Sequence, residues 1–230
     1  MTSDHDQALA LLPLFSGFTL AEIAEMRAAG RLARQPAGSF YFMQGDPADA
    51  LYVLVEGRIR LGQVTPDGQQ VLLRVVVPYS PFGIIALVQG ESYPVSAEAA
   101  EPSAAYCWSK AAIQTLTARH PRLVVNGMKM MAVNLQEFQE RFRELATQRV
   151  ERRLARMLLR LGSQTGKKTP EGVLIDLPLS RQDLAEMTGT TLYTVSRILS
   201  QWENHGLVHS GRARVIIRDP HGLVLVSEEE

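Results

Sequence analysis

The sequence predicts an α+β protein with an N-terminal antiparallel β-roll of the jelly-roll kind, a long coiled-coil helix and a C-terminal winged helix-turn-helix. Three observations predict this order. Short segments rich in Val, Leu and aromatic residues, separated by turn residues, fill positions 31–108. Apolar residues repeat at alternating spacings of four and three after Pro121. A helix-turn-helix spacing then begins at Arg181.

Composition sets the class of protein. A chain of 230 residues exceeds a typical domain of roughly 100 to 200 residues, so we expect more than one domain. The hydrophobic fraction of 46% and the charged fraction of 21% are ordinary for a globular protein. The first ten residues lack a basic segment, and no apolar run approaches the roughly 18 residues of a membrane span, so we expect a cytoplasmic protein without a membrane partner.

The cysteine count and the charge distribution bear on which cofactors and partners the protein could bind. A single cysteine, Cys107, cannot form an internal disulfide or a four-cysteine iron–sulfur cluster. The net charge of zero hides an asymmetry, because residues 147–227 hold 12 Lys and Arg against 7 Asp and Glu. This basic excess in the last third is compatible with a polyanionic partner.

The N-terminal part combines short helices with strands. Residues 8–29 predict short helices, with Thr19 as an N-cap. The runs "LYVLV" (51–55) and "VLLRVVV" (71–77) are long enough to supply the core strands of the roll.

The coiled-coil segment carries one apolar seam over about three heptads. The seam consists of Val124, Met128, Met131, Leu135, Phe138, Phe142 and Leu145. Such a seam favours a partner helix, and we expect a parallel homodimer. Packing of the helix on its own roll is the alternative. The segment "ATQ" (146–148) then predicts a hinge.

A second amphipathic helix is predicted after the hinge. Its apolar residues include Leu154 and Leu158, and its arginines are expected to lie outside. The polar stretch "GSQTGKKTPEG" (162–172) then predicts a loop.

The helix-turn-helix is indicated by four residues at fixed offsets. Counting from Arg181 as position 1, Ala185 lies at 5, Gly189 at 9, Val195 at 15 and Ile198 at 18. The small residue allows the two helices to cross closely, and the glycine allows a turn that is costly for other residues. Ser180 is the expected N-cap, with Asp183 three residues later.

The outward face of the second helix is polar in a way that suits double-stranded DNA. Threonines at a helix N-terminus can donate to phosphate, and Arg197 can bind a guanine edge through two bonds. A hairpin over 206–218 would bring two further arginines to the backbone. The predicted DNA contacts are Ser180, Thr190, Thr191, Tyr193, Thr194, Ser196, Arg197, Arg212 and Arg214. Two copies would bind a palindrome. A helix-turn-helix used for protein contacts is the alternative.

Two stretches resemble a known family. Residues 179–202, "LSRQDLAEMTGTTLYTVSRILSQW", resemble the helix-turn-helix of the cyclic AMP receptor protein and fumarate–nitrate reductase regulator (Crp/Fnr) family. "QGDPADALYVLVEGRI" (44–59) is similar to the hairpin of that family's cyclic-nucleotide-binding roll, with Gly45 and Gly57 at its turns. The resemblance covers nearly the whole chain.

This resemblance implies a homodimeric, effector-gated transcription regulator with RNA polymerase as a further partner. It also divides the chain by role. Residues 1–109 would form the sensor roll with its N-terminal helices, 110–146 the dimerisation helix, and 147–230 the winged helix-turn-helix DNA-binding domain.

The sequence departs from the family where nucleotide-binding members hold the cyclic phosphate and ribose. Those members carry Phe-Gly-Glu and then an Arg-Ser or Arg-Thr pair. Here Ile84 occupies the Glu position, and Pro94 and Val95 occupy the pair. An apolar floor cannot compensate a phosphate, so we expect an effector other than cyclic AMP. The expected degenerate pocket comprises Phe82, Gly83, Ile84, Ile85, Pro94, Val95 and Ser96.

The identity of the effector stays open at this stage. One alternative is a haem-based sensor of nitric oxide or carbon monoxide, for which the sensor part offers only His5 and His120. Another is a regulator that needs no ligand and keeps a vestigial sensor. In the DNA-contacting helix, Tyr193 stands where many members of the family carry Glu, so the base preference opposite it is not fixed.

An enzyme is not expected. A metal-dependent β-roll enzyme needs convergent His and carboxylate ligands, and residues 31–108 contain no His. The sequence also lacks a glycine-rich phosphate loop with a Lys and a nucleophile elbow.

Overall fold

The computed structural model describes residues 4–65, 70–88, 91–211 and 213–228. Contacts divide the chain into two compact units, Met1–Glu137 and Phe138–Glu230. The division lies inside the long helix, between the expected functional boundaries at 109/110 and 146/147, which stay predictions. Within the described ranges, no helix is both long and apolar enough to cross a membrane.

Short helices precede the roll, as the sequence predicts. They are α1 (Asp4–Ala10), a 3-10 turn (Pro13–Phe15) and α2 (Leu20–Ala28). Thr19 caps α2, because its hydroxyl accepts from the Glu22 amide and the Glu22 carboxylate accepts from the Thr19 amide at 2.7 Å. This reciprocal pair satisfies two amide donors that a helix N-terminus otherwise leaves unpaired.

The sensor unit is an antiparallel roll of two four-stranded sheets, which confirms the predicted fold class. Its strands are β1 (Arg31–Gln35), β2 (Phe40–Phe42), β3 (Ala50–Glu56), β4 (Ile59–Val64), β5 (Gln70–Val76), β6 (Pro81–Phe82), β7 (Ser96–Ala99) and β8 (Ser103–Ser109). The strand orders are β1-β8-β3-β6 and β2-β7-β4-β5. Gly57 turns β3 into β4 with a φ of +81°, and a Cβ there would lie 2.6 Å from the Pro102 carbonyl oxygen. The hairpin therefore requires a glycine at this position.

Two buried polar side chains fasten the helices of this unit. Trp108 on β8 donates its indole N–H to the Met26 carbonyl at 2.6 Å, which holds α2 on the roll. Two helices follow β8: α3 (Lys110–Arg119) and α4 (Arg122–Thr147). The Asn126 amide on α4 donates to the carbonyls of Leu14 and Ser16 at 3.0 and 2.9 Å. The first turns of α4 are thus tied to the N-terminal segment.

The second unit is a winged helix-turn-helix preceded by the end of α4. Its elements are α5 (Val150–Thr165), β9 (Gly166–Thr169), β10 (Gly172–Ile175), α6 (Arg181–Thr188), α7 (Leu192–Asn204), β11 (Val208–Gly211), β12 (Arg214–Ile217) and α8 (Pro220–Glu228). The four strands form one antiparallel sheet in the order β11-β12-β10-β9. The helical path breaks at residues 148–149, next to the expected hinge.

One local expectation about secondary structure in this unit is wrong, and one helix was not foreseen. The polar stretch 162–172 suggested a loop, but α5 continues to Thr165 and β9 pairs Lys167 and Lys168 with β10. Helix α8 was not predicted at all, although its Leu223 is fully buried. The pairing of β9 with β10 and the packing of α8 stabilise these elements, although the local sequence signals for them are weak.

The arginines of α5 were expected to lie outside. Instead, Arg152, Arg153, Arg156 and Arg160 are all half-buried. The Nε atoms of Arg152 and Arg156 donate to the Ser227 carbonyl at 2.8 and 3.2 Å, which holds the end of α8. Much of the basic excess predicted from composition therefore serves internal contacts.

Candidate nucleic-acid interface and sensor interior

The first helix of the helix-turn-helix begins and ends where the sequence predicts. The Ser180 hydroxyl accepts from the Asp183 amide at 3.1 Å, and the Asp183 carboxylate accepts from the Ser180 amide at 2.8 Å. Helix α6 ends at Gly189, which has a φ of +60°. Ser180 thus uses its hydroxyl to cap α6, and the geometry adds no support to its predicted DNA contact.

Helix α7 is held by an apolar inner face. Val195, Ile198, Leu199 and Trp202 are all buried, and the Trp202 indole donates to the Glu151 carboxylate at 2.9 Å. The Thr191 hydroxyl caps the helix by accepting from the Thr194 amide at 3.2 Å. The inner residues therefore fix which face of α7 points outward.

The outward face carries the predicted contact residues. Thr191, Tyr193 and Arg197 are exposed, and Tyr193 is 76% exposed. Thr190, Thr194 and Ser196 are half-buried along the edges of this face. Ser200 and Gln201 are also exposed on it and were missed, although their helical spacing from Arg197 would have revealed them.

The predicted wing is a hairpin of β11 and β12. Ala213 at its tip has a φ of +54°, and the neighbouring Arg214 is exposed. Arg212 lies outside the described residues. Arg181 donates to the Ser210 hydroxyl at 3.3 Å, and the Glu203 carboxylate accepts from the Ser210 amide at 2.5 Å. These bonds tie the wing to both helices of the motif.

Aromatic rings pack into the interior of the sensor roll. Phe42 and Tyr93 stack with centroids 3.7 Å apart, and Tyr52 and Phe82 stack at 4.9 Å. Burial raises the pKa of Tyr93 to about 12 and also raises the pKa of Tyr52. The Tyr93 hydroxyl donates to the Ala50 carbonyl at 2.5 Å and accepts from the Ala50 amide at 3.0 Å. Neither Phe42 nor Tyr93 was singled out from the sequence.

The expected effector pocket is divided between this interior and the segment that leads into β7. Phe82 and Ile84 are buried, while Ile85 and Val95 pack partly against the same core. Gly83 takes a left-handed conformation, with a φ of +69°, at the start of a 3-10 turn. At the start of β7, the Pro94 carbonyl accepts from the Gln63 side-chain amide at 2.8 Å, and the Ser96 hydroxyl accepts from the Gln44 backbone amide at 2.9 Å.

The two histidines of the sensor part lie on different elements. His5 packs against Tyr106 with ring centroids 6.0 Å apart. His120 is largely buried, with its two ring nitrogens 3.8 and 3.7 Å from the carboxylates of Glu22 and Glu25. Over the described ranges, no group of three or more His, Cys, Asp or Glu side chains could hold a metal ion. Burial raises the pKa of the Cys107 thiol, so this residue packs as a small neutral group.

Most of the predicted seam on α4 is exposed in the single chain. Met128, Leu135, Phe138, Phe142 and Leu145 are exposed, whereas Val124 and Met131 are half-buried. Phe142 is 66% exposed. Large side chains exposed in a continuous stripe along a helix are typical of an interaction surface.

Comparison with known proteins accounts for both units. A model of the cyclic nucleotide-binding domain matches residues 33–120, and a model of the Crp-like helix-turn-helix domain matches residues 152–225. The CRP-like cAMP-activated global transcriptional regulator of Mycobacterium tuberculosis is 24% identical over 95% of this chain and 97% of its own length. The chain belongs to the Crp/Fnr family of transcription regulators.

Other members of the Crp/Fnr family give the same result. The global nitrogen regulator of Synechococcus elongatus is 28% identical over 81% of this chain and 85% of its own. A CRP/FNR-family regulator from Thermus thermophilus superposes with a TM-score of 0.72 at 27% identity, covering 86% of this chain and 99% of its own. FixK2 of Bradyrhizobium japonicum, at 22% identity, shows the same fold with a TM-score of 0.77 over 87% of this chain and 98% of its own. These relatives are transcription regulators, and this Crp/Fnr protein carries their DNA-binding helix-turn-helix.

The turn of the helix-turn-helix gives a stability prediction. A side chain at position 189 would be strained by the left-handed backbone conformation. Its Cβ atom would also lie 2.8 Å from the Cδ2 atom of Leu145. Gly206 has a similar φ of +71° with no atom within 4 Å of such a Cβ. We expect Gly206→Ala to lower the free energy of unfolding by about 1 kcal/mol, and Gly189→Ala to lower it further, in urea denaturation.

A third variant separates the two causes. In a Leu145→Ala background the additional cost of Gly189→Ala over Gly206→Ala should disappear, because the facing side chain is gone. Equal losses for both glycine substitutions in the parent chain would show that Leu145 does not constrain the turn.

Proposed function

We propose that this chain is a cytoplasmic, homodimeric transcription regulator that binds palindromic DNA and is gated by an effector other than cyclic AMP. The observation that carries the proposal is the outward face of α7. Its inner face is fixed by four buried apolar residues, so Tyr193 and Arg197 point outward with Thr191 at the helix start. A surface of hydroxyl groups, one phenol and one guanidinium suits the floor of a major groove.

Each part of this surface has a distinct task. Arg197 binds a guanine edge through both arms of its guanidinium, which sets base preference. Thr190 and Thr191, at the positive end of α7, donate to phosphate oxygens and set the register. Tyr193, Thr194 and Ser196 meet neighbouring base edges, while Arg212 and Arg214 of the wing bind the phosphate backbone.

The exposed seam supports the homodimer. Leu135, Phe138 and Phe142 are each more than half exposed in the single chain. Pairing with the same seam of a second copy buries them at about 25 cal/mol per Å² of apolar surface. Two recognition helices would then face major grooves about one helical turn apart, which is the geometry of a palindromic site.

The sensor roll supports an effector unlike a cyclic nucleotide. Ile84 is buried where nucleotide-binding relatives place an acidic residue, and Pro94 and Val95 supply no cation for a phosphate. The proposed gate is movement of the roll against α4, which changes the splay of the recognition helices about residues 146–148. RNA polymerase is the further partner that we propose, on the strength of the family resemblance.

A second candidate is a regulator that binds no small molecule. The tight stack of Phe42 on Tyr93 favours it, because these rings take up space inside the roll. Haem sensing is less well supported, since His120 lies between two carboxylates and His5 lies on a different element.

Two arginine variants test the DNA contact. The measurement is fluorescence-anisotropy titration, at fixed salt, onto a palindrome with guanine-containing half-sites and onto a scrambled duplex. Arg197→Ala should reduce the preference for the palindrome by about 1–3 kcal/mol, because the guanine contact is lost. Arg214→Ala should weaken binding to both duplexes alike and lower the salt slope by about one.

Arg214→Ala is thus the matched control for the loss of one positive charge. If Arg197→Ala leaves the preference for the palindrome over the scrambled duplex unchanged, Arg197 does not recognise the guanine.

The seam is tested by changes in assembly. Leu135→Lys and Phe142→Lys should each convert the dimer to a monomer of 25.5 kDa in sedimentation, because a buried unpaired ammonium is costly in an apolar interface. Gln136→Lys, also on the exposed part of α4 but outside the seam, should remain a dimer. A monomeric parent chain at working concentration would rule out this interface.

The nucleotide response is tested in the same anisotropy assay. Saturating cyclic AMP should leave the affinity for the palindrome unchanged, because no cation or acidic residue stands at the family's phosphate-holding and ribose-holding positions. Tightening by an order of magnitude would overturn the interpretation of Ile84, Pro94 and Val95.

A further inference from the structure

One guanidinium joins the hinge to the turn of the helix-turn-helix. Arg153 on α5 donates from Nη1 to the Gln148 carbonyl at 2.7 Å and from Nε to the Thr188 carbonyl at 3.1 Å. Its Nη2 donates to the Gly189 carbonyl at 3.5 Å. The same half-buried side chain therefore holds two segments about 40 residues apart in sequence.

The accepted carbonyls belong to two helix ends. Gln148 follows the last residue of α4, while Thr188 and Gly189 close α6. Carbonyls at a helix C-terminus lack intrahelical donors and carry the negative end of the helix dipole. The planar guanidinium has several donors in fixed directions on separate nitrogens, and Arg153 uses them to bind both helix ends at once.

A packing contact and an ion pair join the same segments. The Leu145 side chain of α4 lies directly over Gly189, as the 2.8 Å distance to a Cβ at that glycine shows. One residue earlier, the buried Glu144 carboxylate accepts from both terminal nitrogens of Arg160 on α5, at 2.8 and 3.2 Å. The last turn of α4 is therefore fixed to α5 and packs on the turn that precedes α7.

The side-chain oxygen of Gln148, the residue after α4, adds no hydrogen bond to these contacts. The side-chain carbonyl oxygen of Gln148 is buried and has no hydrogen-bond partner within the described part of the chain. The Gln148 amide donates to the Glu144 carbonyl at 2.9 Å within the end of α4, so the link from this residue to α5 is the partner of its backbone oxygen. That partner is Arg153.

We propose that Arg153 is a positioning residue that fixes the start of α7 relative to the end of α4, and so sets the half-site spacing that the dimer accepts. Gly189 ends α6 and Thr191 caps α7, so a displacement of the Thr188–Gly189 carbonyls reaches the recognition helix within two residues. The inference rests on the proposed function, because it requires a dimer on a palindrome.

The test compares palindromes that differ only in spacing. Anisotropy titrations use the preferred spacing, the same half-sites moved apart by two base pairs, and a scrambled duplex. The parent should prefer the first over the second. Arg153→Gln should lose about tenfold of that preference while it keeps its preference for intact over scrambled half-sites, since Arg197 is untouched.

A matched control separates positioning from general stability. Arg152→Gln removes the same charge from the preceding position of α5, where the Nε atom donates to the Ser227 carbonyl of α8. It should keep the spacing preference of the parent. A loss of folded protein lowers the active fraction on every duplex equally and leaves the ratio between spacings unchanged.

The outcomes are distinguishable. An unchanged spacing ratio in Arg153→Gln overturns this inference and leaves the proposed function intact. A parent chain that does not distinguish palindromic from scrambled DNA refutes the proposed function instead. If Arg153→Gln does not fold, Arg153→Lys replaces it and should also lose spacing preference, because the three donors of an ammonium lie on one nitrogen and do not reproduce the fork of the guanidinium, which uses Nε, Nη1 and Nη2. An unchanged ratio in Arg153→Lys contradicts the inference.

Discussion

The left-handed turn at Gly189 is the constraint on which the functional end of the molecule depends. It ends α6, sets the direction of α7, and leaves room for Leu145 of α4 above it. Because glycine adopts this left-handed conformation at lower cost than most residues, it permits the turn that leads from α6 to α7. The buried residues Val195 and Trp202 then fix the rotation of α7 about its axis. The outward orientation of Arg197 follows from these two restrictions.

Charge is used differently in the two halves of the C-terminal unit. The arginines of α5 donate to carbonyl oxygens and to the buried Glu144, so many of their guanidinium donors are used within the fold. Arg197 and Arg214 remain exposed. Arg149, Lys167, Lys168 and Arg218 are exposed as well, and exposed cations are the ones that can reach phosphates and base edges.

The interior of the N-terminal roll is packed with aromatic and aliphatic side chains. Residues 33–120, which include the Gly57 hairpin, match the model of the cyclic nucleotide-binding domain. The interior is packed by stacked aromatic rings, and the Tyr93 hydroxyl bonds to the backbone of Ala50 on β3. Apolar and aromatic packing stabilises the roll without the charged groups that a phosphate would require.

The sequence by itself determined the elements whose signals are local: Ser180 with Asp183 and Gly189 predict the helix-turn-helix, because capping and turns depend on residues close in the chain. Only the tertiary structure decided contacts between distant residues, such as the binding of Arg153 to carbonyls of two helix ends and the placement of α8 on the arginines of α5. Helical periodicity placed those arginines outside because it registers polarity and not the carbonyl groups that a long side chain can reach. The strand β9 was hidden for a related reason, since a polar edge strand forms through its pairing with β10.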